Sequence, residues 1–392
     1  MKIVHICLAS PYTDNWSYQE NIMPRVQHRQ GHDVTVLATC RKHENDDRIV
    51  STPPGSYILD DGVRVVRVPL LQRKGVWGKC ISLLQPYQIY AHLCDLDPDL
   101  IMLHGLGFGE SNRQIARYMK KNPKCTLVGD SHMYDRLAEK PKTWKHRLIL
   151  NYYQYMRKLL YPYYKKVFGI TPGCVEFAIR EYGIRAEKME LLPLGYDPVL
   201  CPWEDREKIR SAFRKQYGIA EDEKLIVHGG KIIPRRKTPE TIQAVQMLND
   251  PKVKLMVFGA VAEEMKPAVE PLLEEHKQNV IYLGRVNPAV YYEAFLAADL
   301  ALFPGGQSVI WQEAIGCGLP IVVGNDTHLE YLNQGGNAAY IDDTSAAGIY
   351  SVLAEVLQEK NMARMKSAAE GEAREFFSYE RIALLVTSAR EC

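Results

Sequence analysis

The sequence has no apolar run long enough to cross a bilayer, no CxxC pair, no HExxH, no internal repeat and no low-complexity tract. Each absence removes a class of protein. A spanning helix needs about 20 consecutive apolar residues, and none is present. The nine cysteines are odd in number and scattered. They do not form the framework of a small secreted domain and read as reduced thiols. Zinc lacks its usual Cys/His spacing. Met1–Ala9 is apolar but short for a signal peptide, and no cleavage pattern follows it, so it reads as a first buried strand of a cytoplasmic chain. A dinucleotide fingerprint is also missing. Gly105-Leu106-Gly107-Phe108-Gly109 follows a strand and precedes a helix, and Asp130 ends the next strand, but the third glycine is misplaced for G-x-G-x-x-G. The first strand leads instead into Ala9-Ser10-Pro11-Tyr12, which holds no glycine. Asp95-Leu96-Asp97-Pro98-Asp99 contains D-x-D twice, yet it stands just before a strand, the wrong end for a ligand cleft. No metal site is expected.

What is present is a chain of 392 residues, 46% hydrophobic and 24% charged, as in soluble globular proteins. That length exceeds one ordinary core and predicts two domains. The net charge of +2 hides an asymmetry: residues 1–198 hold 28 Lys+Arg against 20 Asp+Glu, and the remainder holds 21 against 27. The first half thus offers excess positive charge to a partner. Short β-branched runs alternate with amphipathic stretches from Ile3 to Tyr182, and the alternation restarts after Pro202. Such alternation predicts parallel, doubly wound sheets. The fold class is therefore α/β, with two Rossmann-like domains facing a central cleft, 1–198 and 199–378. Ligands are expected at the carboxyl ends of the strands.

Two loops carry candidate chemistry. Strand Leu225–His228 runs into Gly229-Gly230-Lys231-Ile232-Ile233-Pro234-Arg235-Arg236-Lys237, and a helix follows. Glycines let a ligand approach the backbone, and cations at a strand's carboxyl end can neutralise a diphosphate. The alternative is a solvated basic loop. In the second loop a strand ends in Gly305-Gly306-Gln307-Ser308-Val309, and a helix is predicted to start near Ser308. Free N–H groups at such a start suit an anion. Glu313 falls on its first turns, where it can hold two ribose hydroxyls or simply favour the helix dipole.

The stretch from Gly230 to Pro320 resembles the donor half of retaining family 4 glycosyltransferases of the two-Rossmann (GT-B) architecture, of the bacterial surface-polysaccharide type. Lys231 and Arg236 match the two cations of that family's G-[RK]-x-x-P-x-[KR] element. Glu313, Ala314, Gly318 and Pro320 match the second glutamate of its E-x7-E and the A-x-x-x-G-x-P that follows. Gly31-His32-Asp33-Val34-Thr35-Val36 is similar to the family's second strand, Leu192-Pro193-Leu194-Gly195-Tyr196-Asp197 to its interdomain junction, and Phe377-Ser378-Tyr379 to its F-S-W. Tyr18-Gln19-Glu20-Asn21 resembles a subgroup of surface-polysaccharide enzymes. Two departures stand out. Gly305 occupies the place of the family's first glutamate, and Asp14-Asn15-Trp16-Ser17 replaces a glycine-rich loop.

The resemblance implies metal-independent sugar transfer with retention, from a nucleotide diphosphate sugar (a UDP-sugar is the expectation) to a glycan or lipid-linked acceptor. It requires no cofactor. Lys231 and Arg236 would hold the diphosphate, Glu313 the ribose, and Gly230 with Gly305–Val309 the rest of the donor. His132 would hydrogen-bond the sugar or acceptor rather than serve as an obligate base. Trp16, Tyr18, Gln19, Glu20 and Asp130 fall on the acceptor side, and a helix over 379–392 is expected to pack back on the first domain. Lys140 to Lys166 mixes basic and aromatic residues, which suits the inner face of an anionic membrane or, equally, an ordinary helix with aromatics packed inside. No nucleic-acid motif is present. A sugar-nucleotide-binding protein without transfer activity, and a nucleotide-sugar epimerase of the same architecture, are the alternatives.

Overall fold

The computed structural model describes residues 1–44, 48–71, 87–107, 109–134 and 143–391. Phe108, Lys140 and Lys142 lie outside them. The chain forms two compact units, Met1–Pro193 with Ile382–Cys392, and Leu194–Arg381.

The first unit is built on an eight-stranded sheet: β1 Lys2–Cys7, β2 Asp33–Thr39, β5 Gly55–Ile58, β6 Arg64–Val68, β7 Leu100–Leu103, β8 Thr126–Ser131, β9 Tyr164–Gly169 and β10 Met189–Leu191. Their order is β10-β9-β8-β7-β1-β2-β6-β5. All neighbours are parallel except β5, which pairs antiparallel with β6 at one edge. Covered on both faces, such strands read as continuous apolar runs, and β7 is buried at every residue. β3 Arg41–His43 and β4 Ile49–Ser51 form a separate antiparallel pair too short to be legible beforehand.

The first helix, Gln19–Arg29, contains Pro24 in its interior. Proline favours a helix's first turn, yet here it stands in the interior. The interior proline forgoes one backbone hydrogen bond. The last helix, Tyr379–Ser388, crosses from the second unit into the first. Near its end Arg390 pairs with Asp99 at 3.1 Å. Asp99 also accepts the Lys2 N–H at 2.9 Å, so this end of the acidic run caps the start of β1.

The second unit holds six parallel strands: β11 Lys224–Gly229, β12 Val253–Phe258, β13 Val280–Tyr282, β14 Leu300–Phe303, β15 Ile321–Gly324 and β16 Ala338–Ile341. Their order is β13-β12-β11-β14-β15-β16. The chain winds outward from β11 to β13, then returns to β14 on the other side. The strand order therefore reverses between β11 and β14, where open α/β sheets bind ligands. The same reversal falls between β1 and β7 in the first unit. Each reversal sets two loops side by side.

Candidate active site

In the second unit the two loops are the ones singled out by sequence. β11 ends at Gly229, where a side chain would collide with the Phe258 ring. Gly230 takes φ +104 and donates its N–H to the Phe258 carbonyl at 3.1 Å. A single 3-10 turn, Pro234–Arg236, closes on Lys237 in the left-handed region, and helix Thr238–Met247 follows. That turn points Arg236 inward. The residue is 9% exposed, its Nη1 donates to the Gly306 carbonyl at 2.5 Å, and its Nε is buried without a partner. Burial, and then neighbouring Arg235, lower its proton affinity, but a guanidinium does not deprotonate in proteins. Among the described residues no carboxylate pairs with it. Lys231 is exposed and equally without a carboxylate. A buried cation with spare donors and no acid is incomplete until an anion reaches it.

The helix of the second loop begins at Ile310 rather than Ser308, and its N-cap, Val309, offers no side-chain cap. Gly305, Gly306, Gln307 and Ser308 are half-buried at the strand end. At Gly305 a Cβ would collide with the Arg235 carbonyl oxygen. The absent first glutamate is therefore a packing requirement of this chain: in this arrangement residue 305 admits no side chain. Glu313 is 2% exposed, and Tyr291 donates its hydroxyl to Oε1 at 3.3 Å. Burial pushes its carboxyl up to about 8, the Tyr291 hydrogen bond opposing and Asp197 adding to the rise. A Tyr292 hydrogen bond also opposes the rise at Glu313, and the Tyr292 hydroxyl accepts the Asp197 N–H at 2.8 Å. Tyr291 and Tyr292 escaped the sequence reading because consecutive tyrosines on an apolar helix look like core.

In the first unit, His132 follows β8 with its side chain 36% exposed, and Asp130 beneath it is wholly buried. His104 Nδ1 lies 2.8 Å from Asp130 Oδ2, the Gly105 N–H donates to Oδ1 at 2.6 Å, and His132 Nε2 lies 3.4 Å from the same Oδ1. Gly105, at the head of the glycine run, thus seats a carboxylate with its N–H. Burial opposes charge on Asp130, yet His104 and His132 hold its carboxyl well below the usual range. Burial also opposes the His132 cation, but Asp130 outweighs it and pushes the imidazole up to about 9. A protonated imidazole can donate from both nitrogens and accepts at neither. Asp130, expected on the acceptor side, is wholly buried and lies too deep to touch an acceptor.

The loop after β1 is fixed by Arg67 on β6. Its guanidinium donates to the Tyr12 carbonyl at 2.7 Å, the Thr39 carbonyl at 3.0 Å, the Tyr57 hydroxyl at 2.8 Å and Asp14 at 2.7 Å. This arginine replaces glycine flexibility with a rivet. Beyond it Trp16 stacks on His43 with centroids 5.2 Å apart, and Tyr18, 53% exposed, meets Trp16 edge-on at 5.2 Å. Gln19 is buried with neither amide atom partnered, and Glu20 is half-buried. From Lys140–Lys166, the helix Trp144–Lys158 buries only Met156, while Trp144, Leu148 and Tyr155 are 69%, 58% and 57% exposed.

Two family models match the chain: a glycosyl transferase 4-like domain over residues 22–195 and glycosyl transferases group 1 over residues 209–372. An uncharacterized glycosyltransferase of Methanocaldococcus jannaschii is 26% identical over 48% of this chain and 51% of its own. The lipopolysaccharide glucosyltransferase WaaG of Escherichia coli is 23% identical over 53% of this chain and 61% of its own. The chain thus spans about half the length of these two curated relatives. The Anabaena protein HepE, solved in complex with UDP, superposes with a TM-score of 0.64 over 99% of each chain at 16% identity, a likeness of fold. The fold is that of the GT-B glycosyltransferases. With one model on each unit, the chain is similar to glycosyl transferases in both halves, a 4-like domain in the first and group 1 in the second.

Proposed function

We propose that the chain is a retaining, metal-independent glycosyltransferase that moves a hexose from a nucleotide diphosphate sugar, a UDP-sugar first, to a glycan or lipid-linked acceptor of surface-polysaccharide type. The observation that carries this is Arg236, a buried guanidinium with an unpartnered Nε and, among the described residues, no paired acid, in the same loop as the exposed Lys231. As the glycosidic bond breaks, negative charge grows on the β-phosphate, and these two cations stabilise it without a metal ion. Glu313 accepts the ribose hydroxyls, and His132 donates a hydrogen bond to the sugar or the acceptor. The lipopolysaccharide glucosyltransferase WaaG and the UDP complex of HepE support donor and acceptor classes of this kind. The aromatic and basic helix Trp144–Lys158 fits a lipid-linked acceptor at the inner face of an anionic membrane. No helix among the described residues is long and apolar enough to cross one.

The test is donor turnover with and without acceptor. Transfer is expected to persist in excess chelator, with the product anomer matching the donor. Loss in chelator that magnesium or manganese restores overturns metal independence. Donor binding without turnover would make the chain a sugar-nucleotide-binding protein, and donor conversion without acceptor an epimerase.

A further inference from the structure

The loop after β11 holds Lys231, Arg235, Arg236 and Lys237 within seven residues, and no acid among them. The loop that faces it, Pro304–Val309, holds no charged residue at all. Lys237 is matched by Glu240, whose Oε1 lies 3.1 Å from its Nζ. Arg236 is buried with a spare Nε. Arg235 is exposed and makes no ion pair among the described residues. Burial first, and then Arg235, lower the proton affinity of Arg236, so the two guanidinia stand close enough to repel each other. A strand end lined by charge of one sign concentrates the opposite ion.

A diphosphate ester accounts for part of this charge. Each of its phosphates carries a single negative charge, and Lys231 and Arg236 match the pair. Arg235 is left over, yet its stem lies along the opposite loop. A Cβ built on Gly306 would stand 3.4 Å from its Cγ and Cδ and 3.6 Å from its Nε. At Gly305 the Arg235 carbonyl fills the place of a Cβ, and the Lys237 Cγ comes within 3.3 Å of it. The Gly305–Gly306 turn is thus bare backbone with two cationic stems against it. Glu313 marks the ribose end of this loop, and Arg236, bonded to the Gly306 carbonyl, marks the diphosphate. The transferred sugar hangs from the far side of the diphosphate, which brings it to the Arg235 end.

We propose that Arg235 is a specificity residue that binds a carboxylate on the transferred sugar, so that the hexose of the donor is a hexuronate. This rests on the donor reading given above and narrows its substrate. The planar guanidinium fork matches a carboxylate with two parallel hydrogen bonds. A neutral hydroxymethyl group in the same place offers a single uncharged acceptor and relieves none of the repulsion between Arg235 and Arg236. An acid at position 305 could have paired with the fork from within the protein, but residue 305 admits no side chain. The matching carboxylate therefore arrives with the ligand.

The experiment is calorimetry of the intact chain with donors paired by base and ring. UDP-glucuronate is set against UDP-glucose, UDP-galacturonate against UDP-galactose, and GDP-mannuronate against GDP-mannose, with UDP and GDP alone as references. At least one uronate is expected to bind about tenfold tighter than its neutral partner, the effect of one hydrogen-bonded charge. The preference should shrink in high salt. Arg235→Gln keeps the stem over Gly306 and removes the charge. It should erase the preference while affinity for the nucleoside diphosphate and the melting temperature stay near the parent's. Arg235→Lys should restore part of the preference, since a fork becomes a point charge. Neutral donors that bind as tightly as every uronate overturn the proposal. A preference that survives Arg235→Gln overturns it too, because the carboxylate is then read elsewhere. Equal losses for the nucleoside diphosphate and for both kinds of donor make Arg235 a diphosphate contact, which also overturns it. The donor reading fails differently. If neither UDP, GDP nor any donor binds, that reading falls and this proposal with it. If the nucleotide binds and the uronate gains nothing, this proposal falls alone.

Discussion

Lys231 and Arg236 belong to one loop but have opposite surroundings, one exposed, the other buried and tied to Gly306. Lys231→Ala is therefore expected to cut turnover by roughly a hundredfold to a thousandfold, the usual effect of losing one oxyanion donor, while leaving the melting temperature alone. Arg236→Ala should do the same and also destabilise the donor unit, because the Gly306 carbonyl loses its partner. Arg236→Lys recovers part of the rate only, since a planar fork becomes a point charge. Steady-state rates at saturating donor, beside thermal melts, check both. Glu313 is read through pH. Its carboxyl moves from an ordinary 4.5 to about 8 in the folded chain. A raised acid contributes stability that is full below the lower value and is lost as pH rises through the higher one. Glu313→Gln should thus gain on the parent across that window, by roughly 1–3 kcal/mol at its alkaline end. Calorimetry with a nucleoside diphosphate completes the test. Parent affinity should climb as pH rises through about 8, and Glu313→Ala should lose about 1.5–3 kcal/mol per hydroxyl contact at high pH. Affinity indifferent to both changes leaves Glu313 a core residue.

At the scale of elements, the loops matter more than the strands that carry them. Gly305 sits against the Arg235 carbonyl, so Gly305→Ala should displace one donor loop from the other and weaken nucleotide binding while the sheet stays intact; circular dichroism with a binding isotherm decides it. Arg67 carries the equivalent load in the first unit. Its side chain is 1% exposed against 31% for Asp14. Arg67→Leu should cost about 3–5 kcal/mol, as when one partner of a buried pair is removed, and should free the loop bearing Trp16. Periodicity made both sheets legible, because parallel strands buried on both faces leave unbroken apolar runs such as Leu100–Leu103 and Leu300–Phe303. The donor loops were legible for a different reason: glycine and cations at fixed spacing have few uses. Residues that act through neighbours left no local signal. Arg67 looks like a sheet cation, and Tyr291 like packing. Their roles depend on distant partners, Tyr12 and Asp14 for Arg67 and Glu313 for Tyr291, and sequence spacing does not report such partners.

At the scale of the whole molecule, the charge asymmetry gains a location. The first half carries the excess of basic residues, and the first unit also presents the helix Trp144–Lys158. Trp144, Leu148 and Tyr155 recur at helical spacing and so share one face, and Lys145, Arg147 and Lys158 beside them are exposed. The sequence left open whether these aromatics pack inside. Trp144 and Tyr155 do not, and an apolar stripe flanked by cations is the pattern of a helix that lies on a charged bilayer. Each basic residue near such a surface contributes about 1 kcal/mol, and salt screens it within a Debye length. Binding to vesicles rich in anionic lipid is therefore expected at low salt, with loss in high salt and little binding to neutral vesicles. Leu148→Asp should abolish it without changing the melting temperature, since the side chain is already 58% exposed. Transfer to a soluble acceptor should be untouched in that variant, while transfer to a lipid-linked acceptor in vesicles falls. Flotation assays with the two acceptors measure both. Equal binding to neutral and anionic vesicles, or Leu148→Asp floating like the parent, means that this helix does not dock the enzyme. The basic excess would then serve an anionic acceptor directly, and the search would move to the exposed Tyr18 and the Trp16–His43 stack.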